Sequence, residues 1–426
     1  MPDGTSTANL YRPKLFTTLK EGYGGADFRK DVMAALTVAI VALPLSMAFG
    51  VASGVNPARG LYTAIVGGFL VSALGGSRFQ IGGPAGAFIV LIAATVAHYG
   101  VDGLLVTVMM SGALLAILGI SRLGSLIRHI PHAVTVGFTA GIAVTILASQ
   151  LKDLGGLTLA GREPGPLLPK LAALGGAIGT LNPWALGLGL GTAALIFLQR
   201  RYRPTWPGMI LAVAAASLAA FALHFPVETI GARFGELPHG LPAPHLPQID
   251  AEKLVTLFPV ALSFTLLGGV ESLLSAKVAD SMTGRKHRAN MELVAQGIAN
   301  IASALFGGIA VTGTIARTAT NVRAGARSPL SGMMHAAFVL LFMLVAAPLA
   351  SYIPLATLAG LLLVVCWTMA DKGEFAALLR AWPSAAVLLA TFLLTIVRDL
   401  TAGIIAGCVL AALLALMHRK VKEEGA

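Results

Sequence analysis

The sequence predicts an all-α polytopic membrane protein: fourteen transmembrane segments in a seven-plus-seven inverted repeat, with two half-helices preceded by short strands. Three observations carry this. Apolar residues make up 56% of the 426-residue chain and charged residues only 12%, about half the share of a soluble domain; mean hydropathy is +0.82. Apolar runs of roughly 18 or more residues follow one another, each long enough to cross a ~30 Å hydrocarbon core. A stretch rich in Gly, Thr and Arg, Phe306–Pro329, interrupts that pattern and has a counterpart in the first half. Irregular backbone at membrane depth survives only where protein or a water-filled cavity satisfies its polar groups.

Residues 1–29 contain Arg12, Lys14, Lys20 and Arg29 but no apolar region ending in a small-residue cleavage site, so a cytoplasmic tail is expected rather than a signal peptide. The apolar segments follow at approximately 30–53, 58–75, 84–98, 103–120, 130–149, 183–199, 206–223, 253–276, 291–306, 314–323, 329–349, 354–370, 383–397 and 400–417. The third and tenth are too short to span alone. Loops after even-numbered segments hold Arg122 and Arg128; Arg200, Arg201 and Arg203; Lys277, Arg285, Lys286 and Arg288; Arg323 and Arg327; Lys372 and Arg380. The C-terminal tail adds Arg419, Lys420 and Lys422. Short-loop Lys/Arg bias sets orientation, which places both termini in the cytoplasm and the Pro- and Gly-rich connections 150–182 and 224–252 outside. The same bias accounts for the net charge of +11 without nucleic acid as a partner.

Four matches in register define the repeat. Ser72-Ala73-Leu74-Gly75-Gly76 corresponds to Ser303-Ala304-Leu305-Phe306-Gly307-Gly308, and each precedes a short run expected to be extended, Phe79-Gln80-Ile81 and Ile309-Ala310-Val311. Ala35-Leu36-Thr37 corresponds to Ala261-Leu262-Ser263, and Ile130-Pro131 to Ile353-Pro354, with all offsets between 223 and 232 residues. An odd number of spans per half inverts the second copy, so segments three and ten meet head to head near the midplane.

Two facing helix N-termini present unpaired N–H groups and positive dipole ends, which attract an anion without a fixed charge. The candidate substrate residues are Gly83, Pro84, Ala85 and Gly86 in the first repeat, with Pro84 expected in a first helical turn. In the second repeat they are Thr312, Gly313, Thr314, Ile315, Ala316 and Arg317. Either stretch alone also fits a small-residue packing turn; their matched positions favour a site. Arg317 at membrane depth needs a cavity or a partner. It is read as an anion anchor aided by the Thr312 and Thr314 hydroxyls, with a structural ion pair to Glu271 as the alternative. Glu271 is the clearest lone carboxylate in a span and, with Ser275, the candidate coupling site for H⁺ or Na⁺. Pro44 interrupts the first segment opposite Glu271, which brings Ser46 and Phe49 toward the same cavity.

The remaining polar residues are read more plainly. Asp31 and Asp280 stand at segment ends, where solvated positions are expected, and Asp399 is expected to cap the last helix. Cys366 and Cys408 lie in separate spans as buried small side chains. His132, His224, His239, His245 and His287 have no metal-ligand spacing, and there is no Gly-Lys phosphate loop and no nucleophile–base pair. Neither an enzyme nor a cofactor is expected.

These motifs resemble the SulP family of sulfate-permease and prestin-type anion transporters. The stretches are Gly137-Phe138-Thr139-Ala140-Gly141 with Ser149-Gln150-Leu151-Lys152-Asp153, Glu271-Ser272-Leu273-Leu274 with Ala279-Asp280, and Gly307-Gly308 through Thr312-Gly313-Thr314-Ile315-Ala316-Arg317-Thr318-Ala319-Thr320-Asn321. The resemblance runs from about Lys30 to His418. It implies a core domain (30–122 and 253–349) and a gate domain (123–252 and 350–418), flanked by tails 1–29 and 419–426. It also implies a substrate site between segments 3 and 10, elevator movement of core against gate, a homodimer, and a bacterial inner-membrane location. Three departures bear on substrate and assembly. Leu45 stands where many sulfate-type members have Gln, and Ala85 where several have an aromatic residue. The run Leu43-Pro44-Leu45 with Ala48-Phe49-Gly50 is more similar to the bicarbonate branch, whose acidic residue at the Glu271 position is used with sodium. The implied substrates are sulfate, bicarbonate or a small dicarboxylate. Third, eight residues after His418 are too few for the STAS domain that typically follows, so that domain is expected to be naturally absent or removed. The alternatives are an uncoupled exchanger or channel on the same fold and, on a related architecture, a nucleobase–cation symporter, which would want carboxylates on both segments 8 and 10.

Overall fold

The computed structural model describes residues 11–124, 131–161, 163–164, 167–204, 206–398 and 400–424; of residues 399–401 and 418–424 no side chain is described. Arg128, Ile130 and Asp399 therefore lie outside the described residues, and of the tail cations only the helical backbone is described.

Each predicted apolar segment coincides with a helix. In chain order these are α1 (Lys14–Lys20), α2 (Gly25–Ala52), α3 (Pro57–Leu74), α4 (Ile89–Ile120), α5 (His132–Gly155), α6 (Leu167–Gly176), α7 (Pro183–Tyr202), α8 (Gly208–Ala222) and α9 (Ile230–Phe234). The second half supplies α10 (Ala251–Thr283), α11 (Ala289–Leu305), α12 (Ile315–Arg323), α13 (Leu330–Ala350), α14 (Leu355–Met369), α15 (Lys372–Leu378), α16 (Trp382–Val397) and α17 (Leu400–Glu424). Among the described residues, seven helical stretches are long and apolar enough to cross a membrane: α2, α3, α4 with its preceding turn, α5, α10, α13, and α14 continued through α15. Short helices α1, α6, α9 and α15 were not anticipated; α6 and α9 occupy the two long connections.

Helix starts follow their caps. Asn56 and Asn182 accept from Ala58 N and Trp184 N, each with Pro at the first helical position, while Asp250 accepts from Lys253 N. Gly156 and Gly284 close α5 and α10 in the left-handed conformation. Close approach of helices rests on small residues: a Cβ on Gly112 of α4 would meet the Gly297 carbonyl of α11, and one on Gly189 of α7 the Ala356 carbonyl of α14. Helix α4 lies against α10 and α11, and α13 against α2 and α3, while α5 packs on α14 and α16 and α7 on α14.

Between α3 and α4, and between α11 and α12, the chain forms two two-residue strands, β1 (Gly82–Gly83) and β2 (Thr312–Gly313). They pair antiparallel, Gly82 with Gly313 and Gly83 with Thr312. This corrects the expected strands at 79–81 and 309–311. Those runs are instead held by side chains. Asn321 Nδ2 donates to Phe79 O, and Ile81 N donates to Thr318 Oγ1. Ile309 N donates to Thr63 Oγ1 at 2.7 Å, in a π-helical turn of α3 (Thr63–Gly67). The third segment is corrected as well. Pro84 does not open a helix; Ala85 is still extended, Gly86–Phe88 form a 3₁₀ turn, and α4 continues to Ile120 with one break at Gly100 (φ 70°).

Buried carboxylates are a second correction. Asp31 is fully buried, not solvated: it accepts from Arg327 N (2.6 Å), Ser328 N, Ser328 Oγ and Tyr23 Oη (2.8 Å). Asp280 is half-buried and accepts from His287 N and Nδ1. Glu292, unremarked in the sequence, is fully buried and accepts from Gly76 N, Ser77 N and Gln80 Nε2. Buried charge persists only with such donors.

Candidate anion site

A cavity of ≈ 870 Å³ lies where α2, α5, α7, α10 and α14 surround the turn before α4 and the start of α12. The first N–H groups of an α-helix have no intrahelical partner, so two ends converge here with positive dipole character. Of the candidate residues, Phe49, Ala85, Gly86, Glu271, Thr314, Ile315, Ala316 and Arg317 line it. Six other candidates do not. Gly83, Thr312 and Gly313 are taken up in the strand pair, Pro84 is buried beside it, Ser46 faces Arg317, and Ser275 donates to Thr318 Oγ1 at 3.0 Å.

The threonine hydroxyls are not free donors, contrary to expectation. Thr314 Oγ1 donates to Ile81 O, and Thr312 Oγ1 to Gly268 O, beside Ser272 Oγ at 3.1 Å. Thr314 thereby satisfies irregular backbone, which has first claim on donors where water is scarce, while Thr312 ties β2 to a carbonyl of α10.

Arg317 is 2% exposed. Its Nη2 donates to Ser46 Oγ at 3.1 Å, and that hydroxyl donates in turn to Ala42 O at 2.7 Å. Its Nη1 has no hydrogen-bond partner among the described residues. A Cβ at residue 83 would collide with that nitrogen, so glycine makes room for the guanidinium beside β1. Glu271, half-buried, faces the cavity from α10, and among the described residues no ion pair joins it to Arg317. The sequence reading missed the far wall. Phe138 and Thr139, which the sequence offers only as motif residues, and Arg200 and Arg323, which it offers as loop cations, all line the cavity. No group of three or more His, Cys, Asp or Glu side chains among the described residues could hold a metal.

The model of the sulfate permease family matches residues 28–395. The chain belongs to that family. This sulfate permease family member is 43% identical over 394 residues to YvdB of Bacillus subtilis, whose name makes sulfate its candidate substrate, covering 92% of this chain and 74% of YvdB. It is 32% identical to the bicarbonate transporter BicA of Picosynechococcus, covering 92% of this chain and 70% of BicA. The solved transmembrane domain of a cyanobacterial BicA superposes with a TM-score of 0.81 at 31% identity, over 90% of this chain and 98% of that one. Murine Slc26a9, an anion transporter at 17% identity, shares the fold, with a TM-score of 0.88 over 98% of this chain and 73% of its own. The family consists of transporters, and the membrane-embedded transporter fold is common to it.

Proposed function

We propose that the chain is a secondary active transporter of a small oxyanion, sulfate or bicarbonate, coupled to H⁺ or Na⁺ through Glu271. The observation that carries this is Arg317: a buried cation with one unsatisfied nitrogen, beside two helix N-termini, on a cavity that also holds a carboxylate. Buried charge is costly, so an arginine kept short of partners suits an anion that comes and goes. The bicarbonate relatives and Leu45 support bicarbonate; YvdB supports sulfate.

The wider reading is of fourteen spans in two inverted sevens, both termini cytoplasmic, with a core and a gate that alternate by elevator movement in a homodimeric assembly. The antiparallel β1–β2 register supports the inversion, because a two-fold axis in the membrane plane reverses the second copy. Separation of Glu271 from Arg317 favours a coupling duty for Glu271 over the uncoupled exchanger, in which it would only neutralise the arginine.

Uptake of labelled bicarbonate and labelled sulfate into proteoliposomes tests this, with and without imposed sodium and pH gradients. Accumulation of one anion driven by one gradient is expected. Equilibration without accumulation under every gradient would leave the exchanger.

A further inference from the structure

The N-terminal strap, Tyr11 to Glu21, takes no part in the anion cavity, yet it is tied across one end of the molecule. Lys14 N donates to Gly75 O at the end of α3, and Tyr11 Oη to Ile120 O at the end of α4, at 2.9 and 2.7 Å. Arg288, before α11, donates Nη1 to Arg12 O at 2.7 Å and to Thr17 Oγ1 at 3.0 Å. Arg78, in the loop leading to β1, donates to Glu21.

These ties gather Arg12, Lys14, Arg78, Arg285 and Arg288 around two carboxylates. Glu21 takes Arg78 and, at 3.8 Å, Arg285; Asp280 is already engaged by His287 at 2.7 Å. Arg78 is 8% exposed and its Nε has no hydrogen-bond partner among the described residues. Burial first, then the neighbouring Arg288 and Arg78, push the Lys14 ammonium down to about 8, with Asp280 and Glu21 opposing them. Beside the cluster, Phe16 and Leu19 of α1 are about half exposed, at 53% and 49%. Phe28 and Met33, on the first turns of α2, are exposed to a similar extent. Cations alternating with exposed apolar side chains on a short surface helix are the composition of a segment lying in a lipid interface, where each cation near an anionic leaflet contributes about 1 kcal/mol.

We propose that the strap is a binding site for anionic phospholipid, with a headgroup phosphate among Lys14, Arg78, Arg285 and Arg288 and with Phe16 and Leu19 entering the acyl boundary. Occupancy would hold the loop Gly75–Arg78, and through it β1, from the membrane surface.

The test is lipid retention by native mass spectrometry, with melting temperature, in nanodiscs of phosphatidylcholine with or without phosphatidylglycerol. Wild type should retain phosphatidylglycerol about tenfold over phosphatidylcholine and melt higher with it. Lys14→Gln with Arg285→Gln should remove most of that preference, and Phe16→Ser with Leu19→Ser should weaken retention with the charges intact. Arg285→Gln alone, at an exposed side chain, serves if the double variant fails to fold. Equal retention of the two lipids, or an unchanged preference in the charge variants, would overturn the site. Stabilisation of wild type by millimolar inorganic phosphate or glycerol phosphate to the same degree would assign it to a soluble anion and overturn the lipid.

Discussion

Arg317 and Ser46, 271 positions apart, are joined by a buried hydrogen bond of 3.1 Å that fixes one guanidinium nitrogen and leaves the other uncommitted. The two residues come from opposite halves of the chain, so the bond also positions the start of α12 against α2. Its geometry makes Arg317 separable from a purely structural cation.

Arg317→Ala should weaken anion binding at least tenfold in a protein that still folds, because no carboxylate is left alone by its removal. Arg317→Lys keeps the charge but loses the planar fork, so an oxyanion should suffer more than chloride. Melting temperature and anion affinity on the same two variants check this. A structural ion-pair arginine would instead cost about 3–5 kcal/mol of stability.

Glu271→Gln should abolish gradient-driven accumulation while leaving anion exchange. The amide keeps the shape but can neither take up a proton nor neutralise a sodium ion. Unchanged concentrative uptake in proteoliposomes would remove Glu271 from the coupling step.

Asp31→Ala should destabilise the fold by about 3 kcal/mol or more, since Arg327 N and Ser328 N lose a charged acceptor. The loss should appear as a lower melting temperature, with the anion affinity of the folded fraction close to wild type.

Topology is checked by accessibility. A cysteine at the exposed position His239, with Cys366 and Cys408 replaced, should react with an impermeant maleimide from outside the cell only. Labelling from the cytoplasmic side alone would reverse the assigned orientation.

Helix positions were legible in the sequence because apolar run length is a local property. The cavity's two broken segments were legible too, through glycines and threonines set in apolar surroundings. What escaped was decided at long range. A two-residue strand such as Gly82–Gly83 has no propensity signal of its own, and the flanking Phe79 and Ile81 looked more extended than the residues that pair. Asp31 stands at a segment end, where water is the default partner. The loop at Arg327–Ser328, nearly 300 positions on, supplies its backbone donors. Thr312 and Thr314 were assigned to substrate because their acceptors, Gly268 and Ile81, lie in other elements.

The backbone of residues 79–81 is held by Thr314, Thr318 and Asn321, and that of Ile309 by Thr63. Each broken segment thus takes part of its partners from the other half of the polypeptide, while Ser72, Asn300 and Ser303 supply others from its own. A nascent chain that has emerged only as far as α11 has Glu292 for Gly76, Ser77 and Gln80, but it lacks the groups that hold the backbone of Phe79 and Ile81. The early half must therefore sit in the bilayer incomplete until residue 321 arrives, and assembly of the anion cavity is a late event in synthesis rather than an early one.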